Sequence, residues 1–146
     1  EIMKNNKDIC ILTDRYLDMR AEKFGLTAAQ SGMLAYIIKC GGADTSDLNR
    51  KLGISKSTVS SILKKLSAKD FIRVETLEED NRRKKVIPTQ KALRVKNGML
   101  REFAFVEQEI FEPFSQTELE TAFKWQTKLL TALRQSFKNY METEEK

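Results

Sequence analysis

Asp47-Leu48-Asn49-Arg50-Lys51-Leu52-Gly53-Ile54-Ser55-Lys56-Ser57-Thr58-Val59-Ser60-Ser61-Ile62-Leu63-Lys64-Lys65-Leu66 is the stretch whose reading decides the fold. It reads as a short helix, a glycine turn and a second helix. Ser55 suits the N-cap of the second helix, because its hydroxyl can accept from the free amides of the first turn. Ile54 before the cap and Val59 at the fourth helical position form a hydrophobic staple that fixes the entry angle of the chain. Val59, Ile62, Leu63 and Leu66 recur at helical spacing and predict its buried stripe. Lys56, Ser57, Thr58, Ser60, Ser61, Lys64 and Lys65 then face outward. A helix pair joined by a short glycine-containing turn, with a small, polar and basic outer face, has the form of a DNA-reading helix-turn-helix.

The charge distribution points the same way. The 146 residues include 26 Lys/Arg and 21 Asp/Glu, a net charge of +5. Residues 49–101 hold 15 Lys/Arg against 5 Asp/Glu, while the rest of the chain holds 11 against 16. A basic middle between acidic flanks is a footprint for a polyanion. Residues 49–69 contain no acidic residue at all, unlike an ordinary solvated helix face.

Upstream, apolar residues at Ile2, Ile9, Leu12, Tyr16 and Met19 predict one face of a first helix, widened by Ile11 and Leu17 and closed by Phe24-Gly25. Thr27 caps a second helix carrying Met33, Leu34, Ile37 and Ile38, which Gly41-Gly42 stops. Asp44 or Thr45 caps the third, short helix with Leu48 and Leu52 inward. Downstream the period changes. Phe71–Glu75 alternates apolar and polar, and Lys84–Pro88 returns with strand-like residues. Residues 76–83 between them read as a charged tip too long for a tight turn, so the hairpin is a wing. Thr89 caps a long helix with Leu93, Met99, Leu100, Phe103, Val106 and Ile110 at helical spacing. Pro113 breaks it, and Ser115-Gln116-Thr117-Glu118 is a capping box for a last helix through Leu119, Phe123, Leu130, Leu133, Phe137 and Tyr140.

The fold class expected is therefore mainly α with a small β-hairpin wing, in a single domain over 1–146. Residues 28–90 form a winged helix-turn-helix. Residues 1–25 and 91–146 form helices with more apolar stripe than so small a unit covers. Burying those stripes against a second copy gives an isologous homodimer. A dimer would also set two reading helices one DNA turn apart.

Other classes recede on composition. Two Cys and no His argue against a Cys/His zinc site, and no cofactor is expected. Without His an ordinary Ser-His-Asp or Cys-His arrangement is impossible, and no phosphate-cradling glycine loop exists, so no enzyme is expected. No apolar run approaches a membrane span, Glu1–Asn6 has no signal-peptide pattern, and reduced thiols suit a cytoplasmic protein. The chain opens on Glu1 rather than Met, which leaves room for a native start upstream.

The chain resembles the MarR family of winged-helix regulators. The matching residues are Phe24-Gly25-Leu26-Thr27-Ala28-Ala29-Gln30, Ser46-Asp47-Leu48 with Leu52 through Ser60, Leu66-Ser67-Ala68-Lys69-Asp70-Phe71-Ile72, and Asp80-Asn81-Arg82 with Pro88-Thr89. The resemblance implies a homodimer that binds a pseudo-palindromic double-stranded DNA operator and usually represses. It assigns base and phosphate contacts to Lys56, Ser57, Thr58, Ser60 and Ser61, a minor-groove contact to Arg82, and bracing of the wing to Asp80. Two positions depart from the family habit. Asp70 stands where Gly is common, and Asp tolerates the left-handed conformation better than most residues. Ala92 stands where Gly often follows the Thr89 cap.

Within that frame the short hydroxyls of Ser55, Ser57, Thr58, Ser60 and Ser61 let the helix approach base edges closely. Lys56, Lys64 and Lys65 suit phosphates, and Arg83, Lys84 and Lys85 suit the backbone beside the wing. Arg82 at a hairpin tip fits a narrow, electronegative minor groove. A small-molecule effector of unknown identity is expected in the cleft between the dimer helices and the winged unit. Two alternatives stand beside this reading: a winged-helix protein-interaction module without DNA binding, and a thiol-based regulator using Cys10. Cys40, at a helix C-terminus where the dipole opposes a thiolate, is expected to be unreactive.

Overall fold

The computed structural model describes residues 1–77 and 80–144, and for residues 77, 80–83 and 144 the backbone alone. Among the described residues the order is α1 (Ile2–Ala21), a 3-10 turn over Glu22–Phe24, α2 (Ala28–Lys39), β1 (Ala43–Asp44), α3 (Thr45–Leu52), α4 (Lys56–Ala68), β2 (Ile72–Leu77), β3 (Asp80–Pro88), α5 (Gln90–Phe111) and α6 (Gln116–Glu144). Contacts divide the chain into two units, Glu1–Val106 and Glu107–Lys146.

The helix starts follow the side chains available to cap them. Thr27 and Gln30 form a reciprocal box: Gln30 N–H donates to Thr27 Oγ1 at 3.1 Å, and Thr27 N–H to Gln30 Oε1 at 3.2 Å. Asp44, rather than Thr45, caps α3 by accepting from Ser46 N–H at 3.0 Å. Thr58 N–H donates to Ser55 Oγ at 3.2 Å, and Ala92 N–H to Thr89 Oγ1 at 3.3 Å. Each such cap contributes about 1 kcal/mol. Between α3 and α4, Gly53 takes a φ of 68°, a left-handed conformation that a Cβ would strain. Asp70 does the same after α4 at φ 59°, as its departure from glycine allowed.

The first unit is built around Leu34 and Ile37 of α2, Leu48 of α3, Leu66 of α4, Val86 of β3 and Ala92 of α5, all fully buried. Full burial of a Leu or Ile side chain stabilises by about 1.5–3 kcal/mol. Val59, Ile62 and Leu66 are buried and Leu63 is half-buried, so the apolar stripe of α4 faces the core as expected. That settles which face α4 turns outward.

The sheet differs from the expected hairpin in two ways. First, β2 and β3 extend through most of the stretch expected as a loop: Thr76 and Leu77 belong to β2, and β3 begins at Asp80. Pairing runs antiparallel from Ile72↔Pro88 to Thr76↔Lys84, with a register shift before Leu77↔Asp80. Both strands are exposed at Glu75, Thr76 and Lys84, so the ladder continues there on backbone pairing without an apolar alternation to announce it. Second, β1 adds a third strand in the order β1-β3-β2. It has two residues, too few for a period. Gly42 brings it alongside β3: a Cβ on Gly42 would lie 3.1 Å from the Val86 carbonyl oxygen.

α1 is docked by polar and apolar contacts. The Asp18 carboxylate accepts from Ala28 N–H at 2.6 Å, capping α2 from outside. Arg20 Nε donates to Glu102 Oε2 at 2.8 Å, and Lys23 pairs with the same carboxylate. Phe24 lies against Gly98 of α5. Ile2, Ile9, Leu12 and Met19 remain exposed on α1. In the second unit the box of Ser115 and Glu118 opens α6, with Glu118 N–H donating to Ser115 Oγ at 3.3 Å and Ser115 N–H to Glu118 Oε2 at 2.8 Å. Along α6, Phe123, Leu130, Leu133, Phe137 and Tyr140 are exposed, at helical spacing on one face. Cys10 and Cys40 are free and exposed.

Candidate nucleic-acid interface

Ser55, Lys56, Ser57, Thr58, Ser60, Ser61, Lys64 and Lys65 are all exposed on the tip and outer face of α4. At the tip the hydroxyls form a chain: Ser55 Oγ lies 3.1 Å from Ser57 Oγ and 2.8 Å from Thr58 Oγ1. Ser55 therefore serves the cap first, and its partners keep donor or acceptor capacity for an outside group.

α4 stands as a ridge between two clefts. On the side of the wing, a cleft of about 450 Å³ is lined by Lys56, Ser60, Thr45, Ser46 and Asn49, by Lys84 of β3, and by Val59, Leu63 and Val74 as an apolar floor. On the other side, a cleft of about 380 Å³ is lined by Ser57, Thr58, Ser61 and Lys65 together with Thr27, Ala29 and Gln30 from the start of α2. A helix flanked on both sides by open space, with cations on each flank, matches a wide groove with phosphates at its rims.

Lys84 is thus brought to the ridge from 19 residues beyond Lys65. Asp80, Arg82 and Arg83 have their backbones in β3, but their side chains lie outside the described residues. Sequence reasoning missed Thr45, Ser46 and Asn49 as cleft-lining residues. Their signal was modest: short polar side chains on the first helix of a helix-turn-helix. It also counted Lys69 with the basic strip, although the Lys69 ammonium is held internally, donating to the Gly25 carbonyl at 2.6 Å and to Gln30 Oε1 at 2.9 Å. Nearby, Arg50 pairs with Asp47 at 2.7 Å on the surface. Among the described residues no group of three His, Cys, Asp or Glu could hold a metal ion.

The arrangement defines a winged helix-turn-helix. Residues 24–83 match the model of the MarR family. The HTH-type transcriptional regulator PecS of Dickeya dadantii is 28% identical over 113 residues, covering 75% of this chain and 68% of PecS. Among solved structures, S. aureus MepR in its DNA complex superposes with a TM-score of 0.86 at 24% identity, over 91% of this chain and 98% of MepR. A MarR protein from Peptoclostridium difficile gives 0.83 at 20% identity, over 90% and 86% of the two chains. A putative MarR family regulator from Listeria monocytogenes, solved with a 26mer DNA, gives 0.80 at 19%, over 91% and 89%. At these identities the structural likeness is one of fold.

Proposed function

We propose that this chain is a sequence-specific double-stranded DNA-binding transcription regulator that acts as a homodimer. The observation that carries the reading is the ridge of α4, where eight exposed hydroxyl and ammonium side chains stand between two clefts with no carboxylate in residues 49–69. The short residues Ser57, Thr58, Ser60 and Ser61 read base edges in the major groove, and Lys56, Lys64, Lys65 and Lys84 meet phosphates. Arg82 enters the neighbouring minor groove. PecS is named as a transcriptional regulator and MepR was solved on DNA, which supports the reading. Repression at a pseudo-palindromic operator is the mode proposed, and the work is done where the DNA is, in the cytoplasm. None of the described helices is long and apolar enough to cross a membrane.

A titration on duplex DNA tests this. With six or more phosphate contacts, affinity should fall by roughly a thousandfold between about 50 and 200 mM salt. A protein-interaction module would show no such slope. Arg82→Ala should weaken operator binding by about 1–3 kcal/mol with the dimer intact, and unchanged affinity would remove Arg82 from the interface.

For the effector, the cleft of about 420 Å³ between α2 and α5 is the site proposed. Tyr36, Ile38, Met99 and Leu100 make it apolar, and Lys39 and Lys96 make it cationic, so it suits a small organic anion. The hydrogen bond with Cys40 raises the Tyr36 hydroxyl above its ordinary range, so Tyr36 stays neutral near pH 7. Leu100→Trp should fill the cleft, leaving DNA binding intact and abolishing release by an effector; release that persists places the effector elsewhere.

A further inference from the structure

Lys69, the C-cap residue of α4, belongs by sequence to the basic strip, and a lysine there would ordinarily be counted as a phosphate contact. Its surroundings say otherwise. The ammonium donates to the Gly25 carbonyl at 2.6 Å and to Gln30 Oε1 at 2.9 Å, and that same amide oxygen accepts from Thr27 N–H. Gln30 is 3% exposed, so the ammonium is drawn to the corner that joins α1 to α2 rather than out to solvent. The backbone of Lys69 is held from a second direction. Its carbonyl accepts from Lys91 Nζ of α5 at 2.6 Å, and the next carbonyl, Asp70, accepts from Thr89 Oγ1 at 2.7 Å. Lys91 also sits 4.5 Å above the ring of the buried Phe71, where the ring face attracts its charge.

We propose that Lys69 and Lys91 are positioning residues: together they fix the end of α4 between the α1–α2 corner and the start of α5, and so carry any displacement of α5 to the helix that reads DNA. Charged hydrogen bonds to carbonyls are stronger than neutral ones, so each arm of the brace holds more firmly than an uncharged pair would. α5 is also tied to this corner, through Glu102 on Arg20 and Gly98 against Phe24, so a shift of α5 carries the corner with it and pulls Lys69 by its carbonyl and its ammonium together. α4 must tilt or the brace must break.

The inference rests on the DNA-binding reading, and its test separates the two. Full-length Lys69→Met and Lys91→Met keep the apolar stems and lose the charges. Affinity is measured for an operator selected from random duplexes with the unaltered protein, and for a random duplex, across a salt series. For a positioning residue, operator affinity falls by about tenfold while random-duplex affinity changes by less than about twofold, and the salt slope is unchanged. For a phosphate contact, both duplexes lose affinity alike and the slope of log affinity against log salt falls by about 0.9 for each protomer, or about 1.8 for the dimer. That second result, or no change in either duplex, overturns the proposal. If Lys69→Met does not fold, Lys91→Met alone decides, because it removes only the α5 side of the brace. If the unaltered protein binds no duplex, the DNA-binding reading fails instead. Amide exchange then decides the brace: Thr27 and Phe71 should exchange faster in Lys69→Met, and unchanged exchange overturns it.

Discussion

Gly98 of α5 lies close against a ring: a Cβ built there would lie 2.8 Å from Phe24 Cε1 and 3.1 Å from Cζ. Helical propensity alone would make alanine better at this position by about 0.5–1 kcal/mol. The ring contact reverses that sign. Gly98→Ala should therefore destabilise by about 1–3 kcal/mol in denaturant unfolding, and Phe24→Leu should relieve part of the loss in the double variant. A stabilising Gly98→Ala would show that the ring yields freely. Nothing in the spacing of α5 announced this residue, since a single glycine in a helical pattern has many causes. Asp70 was easier to read, because a turn-tolerant residue stood where the helix pattern ended.

At the scale of elements, the helices and their starts were legible because each carries its own local signal: Thr27, Ser55, Thr89 and Ser115 are all caps, and the apolar spacing of α4 placed its face correctly. The missed features are non-local. β1 exists only because Ala43 pairs with Val86, and the upper wing is held by pairing rather than by pattern. The joint between α1 and α5 is equally silent in sequence, since Arg20 and Glu102 are 82 residues apart. That joint should be visible in pH. The Lys23 hydrogen bond, with Arg20 beside it, holds the Glu102 carboxyl below the usual carboxylate range. A group whose folded pKa is lowered stabilises above its unfolded pKa, and that stabilisation is lost as pH falls through the folded value. Glu102→Gln should thus lower Tm near neutral pH, and the gap from the unaltered protein should close below about pH 4, under the ordinary glutamate value. A gap that stays constant into acid would mean the carboxylate charge contributes nothing to docking α1.

For the whole molecule, the apolar residues left uncovered are the ones the sequence had marked for a second copy. Ile9, Leu12 and Met19 on α1, and Phe123, Leu130 and Phe137 on α6, are exposed in the single chain. Apolar residues three and four apart along α6 have the spacing of a seam through which helices pair side by side. Leu130→Glu sets a charge in that seam. Sedimentation should then show a monomer, and operator binding should weaken steeply while random-duplex binding per chain persists. A Leu130→Glu protein that still sediments as a dimer would move the interface off α6. Which face α4 turns outward was legible from α4 alone, because its two faces differ so sharply. Which residues orient that helix was not, because Lys69 looks like any other lysine of the strip until its partners are seen.

The open stripes of α1 and α6 also make the chain's stability a matter of mass action. If much of its apolar surface is covered only by another copy, dilution removes part of what holds the terminal helices in place. The melting temperature should then climb with protein concentration. In a cell, the number of copies would set both how many operators are occupied and how long each free chain survives proteolysis.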